Sequence, residues 1–193
     1  MNGFDHISIK SFRPAILGTF ILFIIAFISF KNLHMFYTLS GIISIVISGG
    51  IFMFAWNSRQ FYDNSYMYVL GVAYLFVGIT SVFDLMYLTG ATPKIIAQDN
   101  THIQLVLLGR FLEASSFILA AFLVRKNPNG YLLLGCFAVL VGTLLTSILY
   151  FRTFPIVIEP EFGVTLFWAL GECLVVIFLL FAVFLLYKIR RIF

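Results

Sequence analysis

The sequence predicts an all-α fold, an integral membrane bundle of six transmembrane helices. Of its 193 residues, 62% are hydrophobic and 10% are charged, and the mean hydropathy is +1.06. Soluble domains contain about 45–50% apolar and about 25% charged residues, so this composition excludes a soluble protein with a single core. The apolar residues fall into six runs, each near the ~20 residues that cross a ~30 Å hydrocarbon layer. Backbone groups in lipid must be hydrogen-bonded within their own segment, and each run is therefore predicted to be a helix.

The first run, about residues 14–30, follows Lys10 and Arg13, as the apolar part of a signal peptide would. No small-x-small cleavage site precedes Lys31, so we interpret this run as a retained membrane anchor. The loops between the runs are short, and we expect residues 1–193 to form one membrane domain. The remaining five runs are about residues 33–56, 66–88, 102–124, 131–151 and 163–187.

Lysine and arginine are divided unequally between the two predicted faces of the membrane. One face, with Lys31, Lys94 and Arg152, has few of them. The other face includes both termini, and the positive-inside rule therefore predicts that both termini are cytoplasmic. Its excess of positive charge favours anionic lipid headgroups as a partner and gives no support to nucleic-acid binding. The basic residues of that face are Lys10, Arg13, Arg59, Arg125, Lys126, Lys188, Arg190 and Arg191.

Four ionisable side chains lie inside the predicted spans: Asp84, Arg110, Glu113 and Glu172. A charge at membrane depth costs about 2.5–3.5 kcal/mol on insertion scales, so such side chains face the bundle interior, pair with each other or contact a ligand. A rise of ~1.5 Å per residue places all four in the outer half of the membrane, with Arg110 and Glu172 at nearly the same depth. Arg110 and Glu113 are three residues apart and are expected to share a helix face.

We expect these four residues to form a polar pocket that opens outward and binds a small or lipophilic ligand. Tyr37 in the second span and Trp168, one turn before Glu172, are the further candidate ligand-binding residues. The alternative is an ion-pair clamp, with Arg110 between two glutamates, that fixes helix register and binds no ligand. Three acids against one base leave one carboxylate that is protonated, hydrated or paired with a group outside the sequence.

That extra carboxylate leaves open a second function, a small proton- or cation-linked membrane transporter. An enzyme has less support, because the sequence has no nucleophile and base pair, no paired metal-ligand motif and no phosphate loop. Haem is not expected, since no pair of histidines lies within the bundle to serve as axial ligands. A metal at the outer mouth, held by His34, His102 and Asp99, would rest on similar depth alone, and no metal site is predicted.

Three stretches of the sequence carry a resemblance to a known family. Residues 54–66 read FAWNSRQFYDNSY, residues 70–78 read LGVAYLFVG, and residues 109–115 read GRFLEAS. Together they closely resemble the third class of bacterial membrane-associated sensor domains, and the resemblance covers nearly the whole chain. For the loop motif, anchoring at the membrane surface is favoured over a binding role. The motif residues singled out are Trp56, Asn57, Arg59, Asn64 and Tyr74.

The resemblance implies a six-helix input module in the bacterial inner membrane that takes part in signal transduction, as in two-component systems. Members of the family are usually fused through the last helix to a histidine kinase or diguanylate cyclase, and a homodimer is expected. The present sequence ends at Phe193, directly after basic residues, where members continue into a cytosolic helix. An excised input domain and a stand-alone protein acting on a partner in trans both remain open.

The sequence departs from the family pattern at polar positions. A His and a Glu early in the second helix of the family correspond here to Tyr37 and Gly41. Near the end of the third helix, an Asp and a His correspond to Ser81 and Asp84. If these positions bind ligand in the family, the ligand of this protein differs or sensing is lost.

Overall fold

The computed structural model describes residues 18–19, 27, 29–59, 65–91, 99–126, 128–159 and 163–189. The chain divides into two units, residues 1–40 and residues 41–193. The first predicted span, about residues 14–30, lies mostly outside the described residues.

Five helices in the described part of the chain are long and apolar enough to cross a membrane. The predicted ends of the second to sixth spans agree with these helices to within about three residues, because apolar run length and helix length both follow hydrocarbon thickness. The all-α fold class is therefore confirmed for the described residues. The helices are α1 (Leu33–Ser58), α2 (Tyr66–Leu88), α3 (Asp99–Leu123), α4 (Gly130–Thr146, continued by a π-helical turn, Ser147–Phe151) and α5 (Leu166–Ile189).

The core lies mainly between α2 and α3, with α4 packed against it. Val69 and Ala73 of α2 are completely buried, as is Leu107 of α3. Phe76 of α2 stacks on Phe137 of α4 with a ring centroid distance of 5.8 Å. These contacts make α2 and α3 the buried centre of the second unit.

Small residues allow α1 to approach α2 closely. Gly71 of α2 faces Ala55 of α1, and a Cβ atom added to Gly71 would collide with the Ala55 side chain. Gly78 of α2 likewise faces Ser48 of α1, whose Cβ would lie 3.2 Å from a Cβ added to Gly78. Close approach through small residues is the usual way in which helices associate in membranes, where lipid is as apolar as the side chains.

A two-stranded antiparallel hairpin precedes α5, with strands β1 (Ile158–Glu159) and β2 (Gly163–Val164). The sixth span was predicted to begin at about residue 163, and α5 begins three residues later. Gly163 has a φ of +76° and pairs with Glu159, a conformation outside the helical region that glycine adopts readily. The helix α5 therefore begins at Leu166.

The hairpin is tied to the beginning of α3 through Asn100. Its Oδ1 accepts hydrogen bonds from the backbone N–H groups of Val157 (3.1 Å) and Ile158 (2.6 Å), and its Nδ2 donates to the Ile158 carbonyl (2.9 Å). One turn later, Gln104 Nε2 donates to the Pro155 carbonyl at 2.9 Å. The segment before α5 is thus held against the first two turns of α3.

Candidate functional site

The helix α3 carries the polar side chains that cross the interfaces of the bundle. His102 lies in its first turn, and Arg110 and Glu113 lie in its middle. At ~1.5 Å per residue, Arg110 is ~12 Å further along the helix axis than His102. Each of the three side chains contacts a different residue of a neighbouring helix: His102 and Glu113 contact α2, and Arg110 contacts α5.

Arg110 forms an ion pair with Glu172 of α5, in which the guanidinium Nη1 donates to Oε1. The Arg110 side chain is 49% exposed and that of Glu172 is 27% exposed, so the pair lies at the edge of the α3–α5 interface. Beside Glu172, Gly171 is buried against Leu107 of α3, whose side chain would lie 3.1 Å from a Cβ at position 171. The missing side chain of Gly171 brings α5 close enough to α3 for the ion pair to form.

Glu113 contacts α2 instead of α5. The hydroxyl of Tyr74 donates to Glu113 Oε1 at 2.7 Å, and the Tyr74 ring lies edge-on to Phe117. In the described part of the chain, the ion pairs within 4.0 Å are Arg110–Glu172 and Asp84–His102, so Glu113 has no cation there. The carboxylate that the sequence left without a base is therefore Glu113, and its partner is a neutral hydroxyl.

The proposed clamp of Arg110 between two glutamates is thus not the observed arrangement. Residues three apart on a helix differ by about 60° in direction, which is enough here for Arg110 to contact α5 while Glu113 contacts α2. The sequence predicted that Arg110 and Glu113 share one helix face. In the structure, the two side chains lie in different interfaces, one with α5 and one with α2.

Asp84 and His102 form the second pair, with 2.5 Å between Asp84 Oδ1 and His102 Nδ1. Asp84 lies in the last turns of α2 and His102 in the first turn of α3, so the pair joins the two helices close to their connecting loop. Sequence analysis had not paired these residues. The signal was present, because the two positions flank one short loop and therefore lie at the same end of the bundle.

The remaining candidates are placed separately. Trp168 is half-buried on α5, one turn before Glu172. Tyr37 belongs to the first unit, where its ring lies edge-on to Phe36 with a centroid distance of 5.5 Å. The described residues contain no group of three or more His, Cys, Asp or Glu that could hold a metal. The side chain of Asp99, which the hypothetical metal site would need, lies outside the described residues.

Of the motif residues, Trp56 and Arg59 lie together at the end of α1, with the Arg59 guanidinium 4.1 Å from the centre of the Trp56 ring. Asn57 is exposed in the last turn of α1, and Asn64 lies outside the described residues. Tyr74, which was assigned with the structural motif residues, donates the hydrogen bond to Glu113. One motif therefore supplies the partner of a candidate residue in another motif.

Comparison with protein families identifies the source of these motifs. The family model MASE3, described as a membrane-associated sensor domain, matches residues 28–193. This range includes all six candidate ligand-binding residues and all five helices that could span a membrane. Neither the curated proteins nor the solved structures provide a match.

Proposed function

This chain belongs to the MASE3 family of membrane-associated sensor domains, and from that premise we propose how it receives a signal. Family membership gives it a sensory input role in the membrane, and its apolar helices make it a multi-pass protein. In our proposal, a small or lipophilic ligand binds among the polar residues that cross the bundle, and binding changes the position of α5. The proposed site consists of Asp84, Arg110, Glu113 and Glu172, with Trp168 one turn before Glu172 on α5.

The ion pair between Arg110 and Glu172 carries this proposal. Burial of apolar surface contributes little to helix association in lipid, so polar contacts and close packing of small residues hold α5 against α3. A ligand that binds one of these two charges competes with the ion pair and weakens that contact. Such a ligand shifts α5 only as far as its affinities for the two arrangements differ.

The arrangement in the membrane is also proposed. We infer six spans, including residues 14–30, in one domain of the bacterial inner membrane with both termini in the cytoplasm. A homodimer would pass the signal from α5 to a histidine kinase or diguanylate cyclase, in cis or in trans, and the domain itself would have no catalytic role. A reporter that is active only in the cytoplasm, fused to either terminus, should be active. Inactivity at either end would contradict the orientation.

A thermal-unfolding screen in detergent micelles tests the ligand site. Compounds that raise the melting temperature of the wild type are measured again with Arg110→Ala and with a control variant, Arg125→Ala. The control removes an exposed arginine that directly follows α3. We expect Arg110→Ala to fold and to lose the ligand-dependent rise, and Arg125→Ala to retain it. A rise that survives in Arg110→Ala excludes this site.

If Arg110→Ala does not assemble, the ion pair is needed for folding, and Glu113→Gln becomes the informative variant. Its amide oxygen still accepts a hydrogen bond from Tyr74, so the bundle should form. A ligand-dependent rise equal to that of the wild type would then remove Glu113 from the site.

A second candidate function is favoured by one observation, the absence of a cation near Glu113 within the described residues. Ionisable residues within membrane spans that lack a charged partner are typical of proton and ion pathways, as a proton-linked carrier requires. Proteoliposomes would then show proton-coupled uptake that Glu113→Gln abolishes. Equal uptake by the variant and the wild type would reject the carrier.

A further inference from the structure

Four basic residues lie at the end of the bundle where α1, α3 and α5 end. Arg59 directly follows α1, Arg125 and Lys126 directly follow α3, and Lys188 lies in the last turn of α5. We call Arg59, Arg125, Lys126 and Lys188 the basic end. Arg125, Lys126 and Lys188 are exposed, and Arg59 is half-buried.

None of the four has a carboxylate within 4.0 Å among the described residues. Asp84 and Glu172 lie toward the other end of their helices, each in an ion pair. Glu113 is twelve residues before Arg125 on the same chain, which corresponds to ~18 Å along a helix. The described acidic side chains therefore do not neutralise these four cations, and Asp63, four residues after Arg59, lies outside the described residues.

Two aromatic rings hold Arg59 in place. Its guanidinium lies 4.1 Å from the centre of the Trp56 ring and 5.8 Å from that of Tyr131, and the two rings are themselves in edge contact at 5.8 Å. Stacking occupies the flat faces of a guanidinium and leaves N–H donors along its edge, which match the oxygens of a phosphate. Arg59 is thus a cation positioned by two aromatic rings, beside the Tyr68 hydroxyl.

Hydrogen bonds fix the neighbouring basic turn. Ser65, just before α2, donates from its Oγ to the Lys126 carbonyl at 2.5 Å and from its backbone N–H to the Val124 carbonyl at 3.3 Å. Tyr131, whose ring centre lies 5.8 Å from the Arg59 guanidinium, follows this turn in the first turn of α4. The backbone that carries Arg125 and Lys126 is therefore held against the start of α2.

The surface also has the features of a membrane interface. Tyr131 is 72% exposed, and the next residue, Leu132, is 67% exposed. Tyrosine and tryptophan are enriched at the level of the lipid headgroups, where an apolar ring and a polar edge are both accommodated. A headgroup beside Arg59 would therefore place its acyl chains along the exposed apolar side of α4.

We propose that the basic end binds the headgroup phosphate of an anionic phospholipid, with Arg59 as its central contact. Arg125 and Lys126 add charge on one side, and Tyr131 with Leu132 contacts the lipid body. The site is separate from the residues proposed for sensing, and it does not depend on that function. It assigns a binding role to the arginine of a motif for which the sequence favoured anchoring over binding.

Lipid-dependent thermal unfolding of the purified chain in neutral detergent tests the proposal. Phosphatidylglycerol should raise the melting temperature in a saturable way, while phosphatidylcholine and inorganic phosphate at equal concentration should not. Since one basic residue near an anionic membrane contributes on the order of a fivefold change in affinity, Arg59→Gln should need about fivefold more phosphatidylglycerol for half the rise. Lys31→Gln, which removes an exposed lysine elsewhere, should leave the titration unchanged.

Three results would overturn the proposal. Arg59→Gln could titrate like the wild type, phosphatidylcholine could stabilise equally, or inorganic phosphate could replace the lipid. If Arg59→Gln does not fold, the double variant R125Q/K126Q leaves the aromatic contacts of Arg59 intact. It should show a comparable or larger loss of affinity for phosphatidylglycerol, and an unchanged titration would reject the site.

Discussion

The two helices that flank α3 with polar contacts, α2 and α5, are held in different ways. Ten of the 23 residues of α2 are buried, whereas α5 buries three of 24: Gly171, Val175 and Ala182. Both helices are strongly apolar, so composition does not account for the difference. The helix α2 lies at the centre of the second unit, and α5 lies at its edge with most of its side chains exposed.

This difference separates a scaffold from a helix that could move. Displacing α2 would break close packing on several sides, and a packed interior tolerates such changes poorly. Displacing α5 would break the Arg110–Glu172 ion pair and the contact of Gly171 with Leu107, and its exposed side chains would exchange one lipid contact for another. A helix that buries few of its residues is well suited to respond to a ligand.

The largest expected effect comes from disturbing the scaffold at Gly71. In Gly71→Val, the new side chain would collide with Ala55 of α1, and overpacking of this kind costs about 1–3 kcal/mol of unfolding free energy. The matched control is Gly50→Val, because a Cβ at Gly50 has no neighbouring atom within 4 Å. Unfolding by SDS in mixed micelles measures both. Equal stability of the two variants would show that α2 is not tightly packed.

An intermediate effect is expected at the ion pair, from the single variants Arg110→Gln and Glu172→Gln and the double variant. Each single change leaves one charge without its partner in a medium of low dielectric constant, and the double change removes both. The coupling free energy should be about 1 kcal/mol, within the range for polar contacts between membrane helices. The same unfolding assay gives the double-mutant cycle. Strict additivity would mean that the pair does not hold α5.

The smallest effect is expected for the hydrogen bond between α2 and α3. Tyr74→Phe removes the donor to Glu113 and should cost about 0.6 kcal/mol, the average for polar contacts between membrane helices. Tyr150→Phe is the control, since Tyr150 is 79% exposed and the same hydroxyl is removed there. A Tyr74→Phe variant as stable as the control would show that the hydroxyl contributes no net stability. The hydrogen bond would then orient Glu113 without stabilising the fold.

Much of the architecture could be predicted from the sequence because it depends on local properties. An apolar run of about 20 residues must be helical in lipid whatever surrounds it, and the second to sixth spans were predicted within about three residues. The motifs around Trp56 and Arg110 also identified the family, which the match over residues 28–193 confirms. The hairpin before α5 was not predicted, since the pairing of Gly163 with Glu159 is not a local property.

The partners of the polar residues were decided by tertiary structure alone. A rise of ~1.5 Å per residue gives the depth of Arg110, Glu113 and Glu172 from the sequence. Depth does not determine how far each helix is rotated or which helix it contacts. Close approach at Gly171 decides that Arg110 meets Glu172, and the packing of α2 against α3 decides that Tyr74 meets Glu113. Helix formation is governed by the chain and the lipid, whereas partner choice is governed by side-chain shape where helices meet.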